Sequence, residues 1–413
     1  MSFAPEPRDA SRIWWGEPPS DYGVPPAIVG AEGCYLIDVL GRRFLDAAGG
    51  LTVGHRNPMI LNAVVDQLWK LQQLPAGCSA EPAHQLARVL IERATNRLDR
   101  CLLVGSRGDA LTAACHLAST ATRRRDFILV DEPDAPLWRR LPLAAVDGER
   151  AHFVPPPRCG RCPLGRARPE CALACADLVA ETIDRLGPVR IAALVSEPIP
   201  VGPGVVVPPE GYWPRVQEAC TQRGVLLVLD ESRTGLNRTG PWWAAEHWNL
   251  APDVLVIGES LGGGLPLAAV LTGERLADAL DQPLPALSPA IPAAAAAGVA
   301  AARFHQTAAL GDRSRRHGAA ILNGLREICE GPSPLRHARG LGLLLAVDCV
   351  DDAGRPDPRG SARCLRRMRD WGFLFARGGR EGEVVTIAPP LTLTEEQADT
   401  IVSAFAEWAS APE

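Results

Sequence analysis

The sequence predicts an α/β fold: a large domain with a mainly parallel sheet covered by helices, beside a smaller α+β domain. Two observations carry this. Short apolar runs recur through the middle of the chain, CLLVG at 101–105, FILVDE at 127–132, IAALVSEP at 191–198, VLLVLDE at 225–231, DVLVIGE at 253–259 and AAVLTGE at 268–274, each followed by a stretch of helical character. Such alternation favours parallel strands buried on both faces. The chain is 413 residues long, which suits two or three packed units at roughly 100–200 residues each.

Taken in order, residues 27–48 alternate apolar and polar side chains around Gly33 and Gly41, the pattern of an antiparallel hairpin. Ile60, Val64, Leu68 and Leu71 then recur at helical spacing behind Pro58, so 57–74 should be an amphipathic helix. An alanine-rich helix is expected over 292–305 and another over 314–330, followed by the strand-like runs RGLGLLLAVDCV and VVTIAPPLTLT. The last helix should begin at Thr394, where Thr-Glu-Glu-Gln offers a cap and an acidic first turn.

Composition narrows the function classes. Hydrophobic residues at 46% and charged residues at 22% are ordinary for a globular chain. A net charge of -5 and a pI of about 6.0 leave no broad basic surface for nucleic acid. No apolar run is long enough to span a membrane, and the first residues lack the charged and apolar regions of a secretion signal, so a cytoplasmic protein is expected. Among 43 basic residues there is one lysine, Lys70. A guanidinium is no substitute for an amine in imine chemistry, so this scarcity bears directly on function.

Glu197, Asp230 and Glu259 each stand at or just past the end of a predicted strand. The topology would bring them to the carboxyl edge of the sheet, where α/β ligand sites form. Around them runs VLLVLDESRTGLNRTGPWWAAEHWNLAPDVLVIGESLGGGLPLAAVL, 225–271, supported by GGLTVGHRNP at 49–58, PPEGYWPRV at 208–216, RGLGL at 339–343 and PPLTLTEEQ at 389–397. On these motifs the chain resembles the class III aminotransferases, enzymes of the pyridoxal-phosphate (PLP) dependent fold type I. The resemblance implies a seven-stranded sheet, a homodimer and a small-molecule substrate. It also implies that 1–50 joins the small domain, that 51–300 forms the large domain with a cysteine-rich insertion at 155–176, and that 301–413 completes the small domain.

The same resemblance places family roles on particular residues. Asp230 matches the carboxylate that faces the cofactor's pyridine nitrogen, strengthening the electron sink. Ser106, Arg107 and Gly108 fall where the family cradles the phosphate at a helix start, and Arg107 would pair with that anion. Ser288 lies next to the position of the threonine lent to the phosphate by the neighbouring subunit. The aromatic ring that stacks on the pyridine falls at Ala135-Pro136-Leu137. The residue at the Schiff-base lysine position is Glu259. A carboxylate forms no imine, so covalent PLP is not expected, and PLP or its amine form (PMP) would be held noncovalently if at all. Glu259 is then either a base in a remodelled site, its pKa raised by its neighbours Asp230 and Glu197, or a relic of decay.

CGRCPLGRARPECALAC places Cys159, Cys162, Cys171 and Cys175 as C-x2-C-x8-C-x3-C, a spacing open to zinc, an iron–sulfur cluster, free thiols or disulfides. Three functions stay open: a repurposed enzyme using Glu259, Asp230 and Glu197 for acid–base work on a small amine- or carbonyl-bearing substrate; a catalytically inactive homologue acting as a binding or partner subunit; and a transaminase with noncovalent cofactor or another amine, for which only Lys70 is available.

Overall fold

The computed structural model describes residues 26–75, 77–94, 97–131, 150–279, 284 and 287–410, with Arg150 and Glu259 described by backbone alone. Strands β1 (Ile28–Glu32), β2 (Tyr35–Asp38) and β3 (Arg43–Ala47) pair antiparallel in succession, one strand more than the expected hairpin. Gly33 and Gly41 turn them at φ +57° and +77°. Helix α1 (Pro58–Lys70) starts behind Asn57, whose side chain accepts the Met59 amide. Then follow α2 (Glu81–Arg93), β4 (Arg100–Val104), α3 (Arg107–Thr122), β5 (Asp126–Val130), β6 (Arg150–Val154), α4 (Ala174–Leu186), β7 (Ile191–Ser196), α5 (Tyr212–Arg223), β8 (Leu226–Asp230), β9 (Val254–Ile257) and β10 (Ala268–Thr272).

Seven of these strands make the large sheet, in the order β4-β10-β9-β8-β7-β5-β6. Pairs from β6 through β9 are parallel, and β10 runs antiparallel to both its neighbours. Both faces are covered, which is why these strands read as unbroken apolar runs. Phe127, Leu129, Val228 and Val256 face the small side chains of α3, while Ile128, Leu194, Leu227 and Leu255 pack against Tyr212, Trp213 and Trp243.

The C-terminal part adds α6 (Pro292–Thr307), α7 (Leu310–Glu330), β11 (Leu335–Leu341), β12 (Leu344–Cys349), α8 (Pro358–Asp370), β13 (Phe373–Gly378), β14 (Val384–Ile387) and α9 (Glu395–Ser410). Its strands join those of the N-terminal part in a second seven-stranded sheet, β1-β2-β3-β13-β14-β12-β11, through the parallel pair β3 and β13. The cap at Thr394 forms as expected: its hydroxyl accepts the Gln397 amide at 3.2 Å and Gln397 returns the bond to the Thr394 amide at 2.9 Å.

Distant sequence motifs meet where the two sheets adjoin. Arg238, fully enclosed, donates to the carbonyls of Leu343 and Pro389, and its own carbonyl accepts Leu343 N at 3.0 Å and Ser314 Oγ at 2.8 Å. Trp242 and Trp243 belong to the large core, and the Trp243 indole donates to Arg93 O at 2.7 Å. Gly318 of α7 lies so close to the turn before β12 that a Cβ would stand 2.0 Å from Gly342 O.

Glu231 secures the loop after β8. Its carboxylate accepts the Ala245 amide at 2.7 Å and the Thr234 hydroxyl, yet burial, helped by the charge of Asp230, pushes its pKa up to about 7. A carboxyl group with a raised folded-state pKa stabilises fully below its unfolded value and loses that contribution as pH rises through the folded one. Unfolding free energies of the wild type from denaturant titrations should therefore fall between pH 5 and 7.5 more steeply than those of Glu231→Gln, the difference amounting to about 2 kcal/mol. Parallel profiles would contradict this.

Candidate functional site

Parallel pairing of β7, β8 and β9 brings their carboxyl ends side by side: Ser196 lies opposite Leu229, and Asp230 opposite Val256. Glu197 follows β7, Asp230 ends β8, and Glu259 opens a 3-10 turn, Glu259–Gly262, two residues beyond β9. The side chain of Glu259 lies outside the described residues. Gly258 is required where it stands, since a Cβ there would lie 2.5 Å from that of Ser232.

Arg107 joins the other two carboxylates. From the first position of α3 its Nε donates to Asp230 Oδ2 at 2.9 Å and its Nη2 to the same oxygen at 2.5 Å, and Nη2 also reaches Glu197 Oε1 at 2.8 Å. The other Asp230 oxygen accepts the Ser232 amide at 3.0 Å. Glu197 is saturated further by Arg233, bidentate at 2.7 and 2.9 Å, and by the Val201 amide at 2.7 Å. The side chains of Asp230 and Glu197 are 0% and 6% exposed and that of Arg107 12%, so this is a desolvated ion cluster. Removing one partner from such a cluster costs about 3–5 kcal/mol, because a buried charge is left uncompensated.

Arg107, expected to pair with a phosphate, here bonds both carboxylates at the sheet edge. At Glu197, expected in acid–base work, burial alone would raise the pKa, but Arg233 and Arg107 outweigh burial and hold it below the ordinary value. Carboxylates expected to repel one another are bridged by a cation.

The start of α3 is also committed. Ser106 Oγ accepts the Asp109 amide at 3.1 Å and donates to Asp109 Oδ2 at 2.9 Å. The hydroxyl matched to the phosphate cradle is thus spent on a helix cap, and the helix's first turn already carries a carboxylate. Gly108 follows, exposed, in that turn. Ser288 comes beside the same helix start through its backbone: its carbonyl accepts the Gly105 amide at 2.7 Å, and its side chain is exposed. Ala135, Pro136 and Leu137 lie outside the described residues. Lys70 is exposed at the last residue of α1, away from the sheet edge.

Sequence reasoning missed Arg233 and Asp109. The second carried a signal, since Ser106-Arg107-Gly108-Asp109 has the Ser-x-x-acid spacing of a capping motif. Arg233 offered none. The His55 ring meets the Asp46 carboxylate at 3.0 Å.

The four-cysteine segment forms a separate feature. Cys159 opens a 3-10 turn, Cys175 lies in the first turn of α4, and Cys159, Cys162, Cys171 and Cys175 line one cavity of about 20 Å3 together with Pro157, Leu164 and Leu173. All four are free thiols, and burial pushes Cys175 up to about 11. Among the described residues no three His, Cys, Asp or Glu side chains stand in a metal-ligating arrangement. What holds the segment is Arg161, which reaches both Asp348 and Glu383 of the chain-end sheet at 2.8 Å.

Comparison with known proteins gives the frame for this site. The family model "Aminotransferase class-III" matches residues 19–132 and 159–408. Acetylornithine aminotransferase of Mycobacterium bovis is 32% identical over 398 residues, covering 95% of this chain and 94% of that protein. The leucine/methionine racemase of Thermococcus litoralis is 30% identical over 400 residues, 91% of this chain and 88% of that one. An aminotransferase structure from Bacillus anthracis superposes with a TM-score of 0.87 at 23% identity, covering 98% and 97% of the two chains. A phospholyase from Arthrobacter, solved with phosphoethanolamine, gives 0.85 at 24%, covering 98% and 99%. By its sequence match along nearly the whole chain, this protein belongs to the class III aminotransferase family and has the PLP-dependent fold type I.

Proposed function

We propose that this chain is a catalytically inactive class III homologue that acts as a binding or partner subunit and forms no internal aldimine. The observation that carries this is the ion cluster at the sheet edge: the two carboxylates that could take part in proton transfer are both saturated by guanidinium groups of the same chain. Glu259 supports it, standing after β9 where the family's order of motifs places the amine. The only lysine is exposed at the end of α1 and offers no replacement. PLP, when a family member holds it, supplies an electron sink for carbanion chemistry. Here the residues that would receive its ring nitrogen and phosphate are already bonded to one another.

A second reading keeps one observation. Ser232 Oγ is buried without a hydrogen-bond partner among the described residues, beside Gly258 and one residue from Glu259. An unmet hydroxyl at that point suits a remodelled enzyme in which Glu259 serves as base for a small amine- or carbonyl-bearing substrate. No helix among the described residues is long and apolar enough to cross a membrane.

Association as a homodimer is supported by α1. Its inner side buries Ile60 and Gln67, while Leu61, Val65, Leu68 and Trp69 leave an apolar stripe on the other, Trp69 being 87% exposed. Glutamate at both Val65 and Trp69 should shift the protein from dimer to monomer in sedimentation velocity, with an unchanged circular dichroism spectrum. A wild type that sediments as a monomer would remove this part of the reading.

The lack of an aldimine is checked by visible absorption and borohydride reduction. Purified protein mixed with PLP and reduced should show no pyridoxyl adduct at residue 259 and no turnover-competent aldimine band. Modification should be confined to Lys70 and the α-amino group, and Lys70→Arg should leave only the latter. An adduct elsewhere, coupled to transamination, would contradict the proposal.

A further inference from the structure

We propose that Arg107 is a resident substitute for the protonated ring nitrogen of a pyridoxal cofactor, so that this pocket excludes such rings even where no covalent bond is needed. This deepens the reading of an inactive site and rests on it for the role of Asp230.

A pyridinium ring presents one N–H to its carboxylate partner. Arg107 presents two to the same Asp230 oxygen, at 2.9 and 2.5 Å, and the other oxygen is taken by the Ser232 amide. A ring seated here would have to displace a guanidinium that also bridges to Glu197 at 2.8 Å, stranding that carboxylate beside Arg233 alone. The loss recurs at the opposite end of the expected cofactor. A phosphate dianion is held at a helix start by free amides and a hydroxyl, but Ser106 Oγ is bonded in both directions to Asp109. The Asp109 carboxylate would face the dianion with like charge. The ring end therefore already holds a cation and the phosphate end already holds an anion, each supplied by the first turn of α3. Arg107 and Asp109 together reproduce the charge pattern of the missing ligand within four residues of chain.

The test uses 4′-deoxypyridoxine 5′-phosphate, which carries ring and phosphate but no aldehyde and so reports noncovalent binding independently of residue 259. Equilibrium dialysis of the full-length wild type should show no saturable binding. Arg107→Met and Asp109→Asn should each show saturable binding where the wild type shows none, and the double variant should bind more tightly than either single variant. Saturable binding to the wild type as tight as to the double variant would overturn the proposal, as would folded variants that gain no affinity. If Arg107→Met does not fold, Arg107→Lys decides: a folded lysine variant that still excludes the analogue supports a required resident cation, and one that binds it contradicts that requirement. An aldimine in the wild type would instead sink the reading of an inactive site, so the two failures are distinguishable.

Discussion

The arrangement of the site turns on one guanidinium between two buried carboxylates. Asp230 and Glu197 are delivered to the same edge by strand pairing alone, and two desolvated anions at such close quarters need a counter-charge. In this chain Arg107 supplies it from the start of α3. The consequences spread outward. The helix start gives up its arginine to the sheet edge, its serine turns to a cap with Asp109, and the loop after β8 contributes Arg233 to complete the charge balance at Glu197.

An inactive site, as proposed, requires that the fold persist without its usual chemistry. The two cores, the paired seven-stranded sheets and the buried contacts of Arg238 with the turns at Leu343 and Pro389 require nothing from the cofactor pocket. A pocket emptied of its ligand would leave Asp230 facing a low-dielectric space, which is unfavourable enough that an internal cation stabilises the apoprotein. On the proposed reading, the same charge that balances Asp230 would oppose a pyridoxal ring there.

Much of the fold was legible from sequence because its cues are local. The runs ending at Ser196, Asp230 and Ile257 are apolar on both faces, and Thr394 to Gln397 states its own cap. The three-stranded start differed from a hairpin because Gly33 and Gly41 both turn the chain. The site was less legible. That Glu197 and Asp230 share an edge followed from topology, but Arg107 reaches across 123 residues of sequence, and no periodicity reports the direction of a long side chain. Ser106 matched a cradle position in sequence, and its cap to Asp109 becomes evident only in the structure. The cysteine spacing left several states open, and the structure gathers the four thiols around one small cavity while Arg161 ties the segment to Asp348 and Glu383.

The most direct test is a crystal structure of the wild type grown with excess pyridoxal 5′-phosphate. The account predicts guanidinium density of Arg107 bridging Asp230 and Glu197, with Ser106 still capping Asp109. Ring density with its nitrogen against Asp230, and Arg107 swung away, would contradict it.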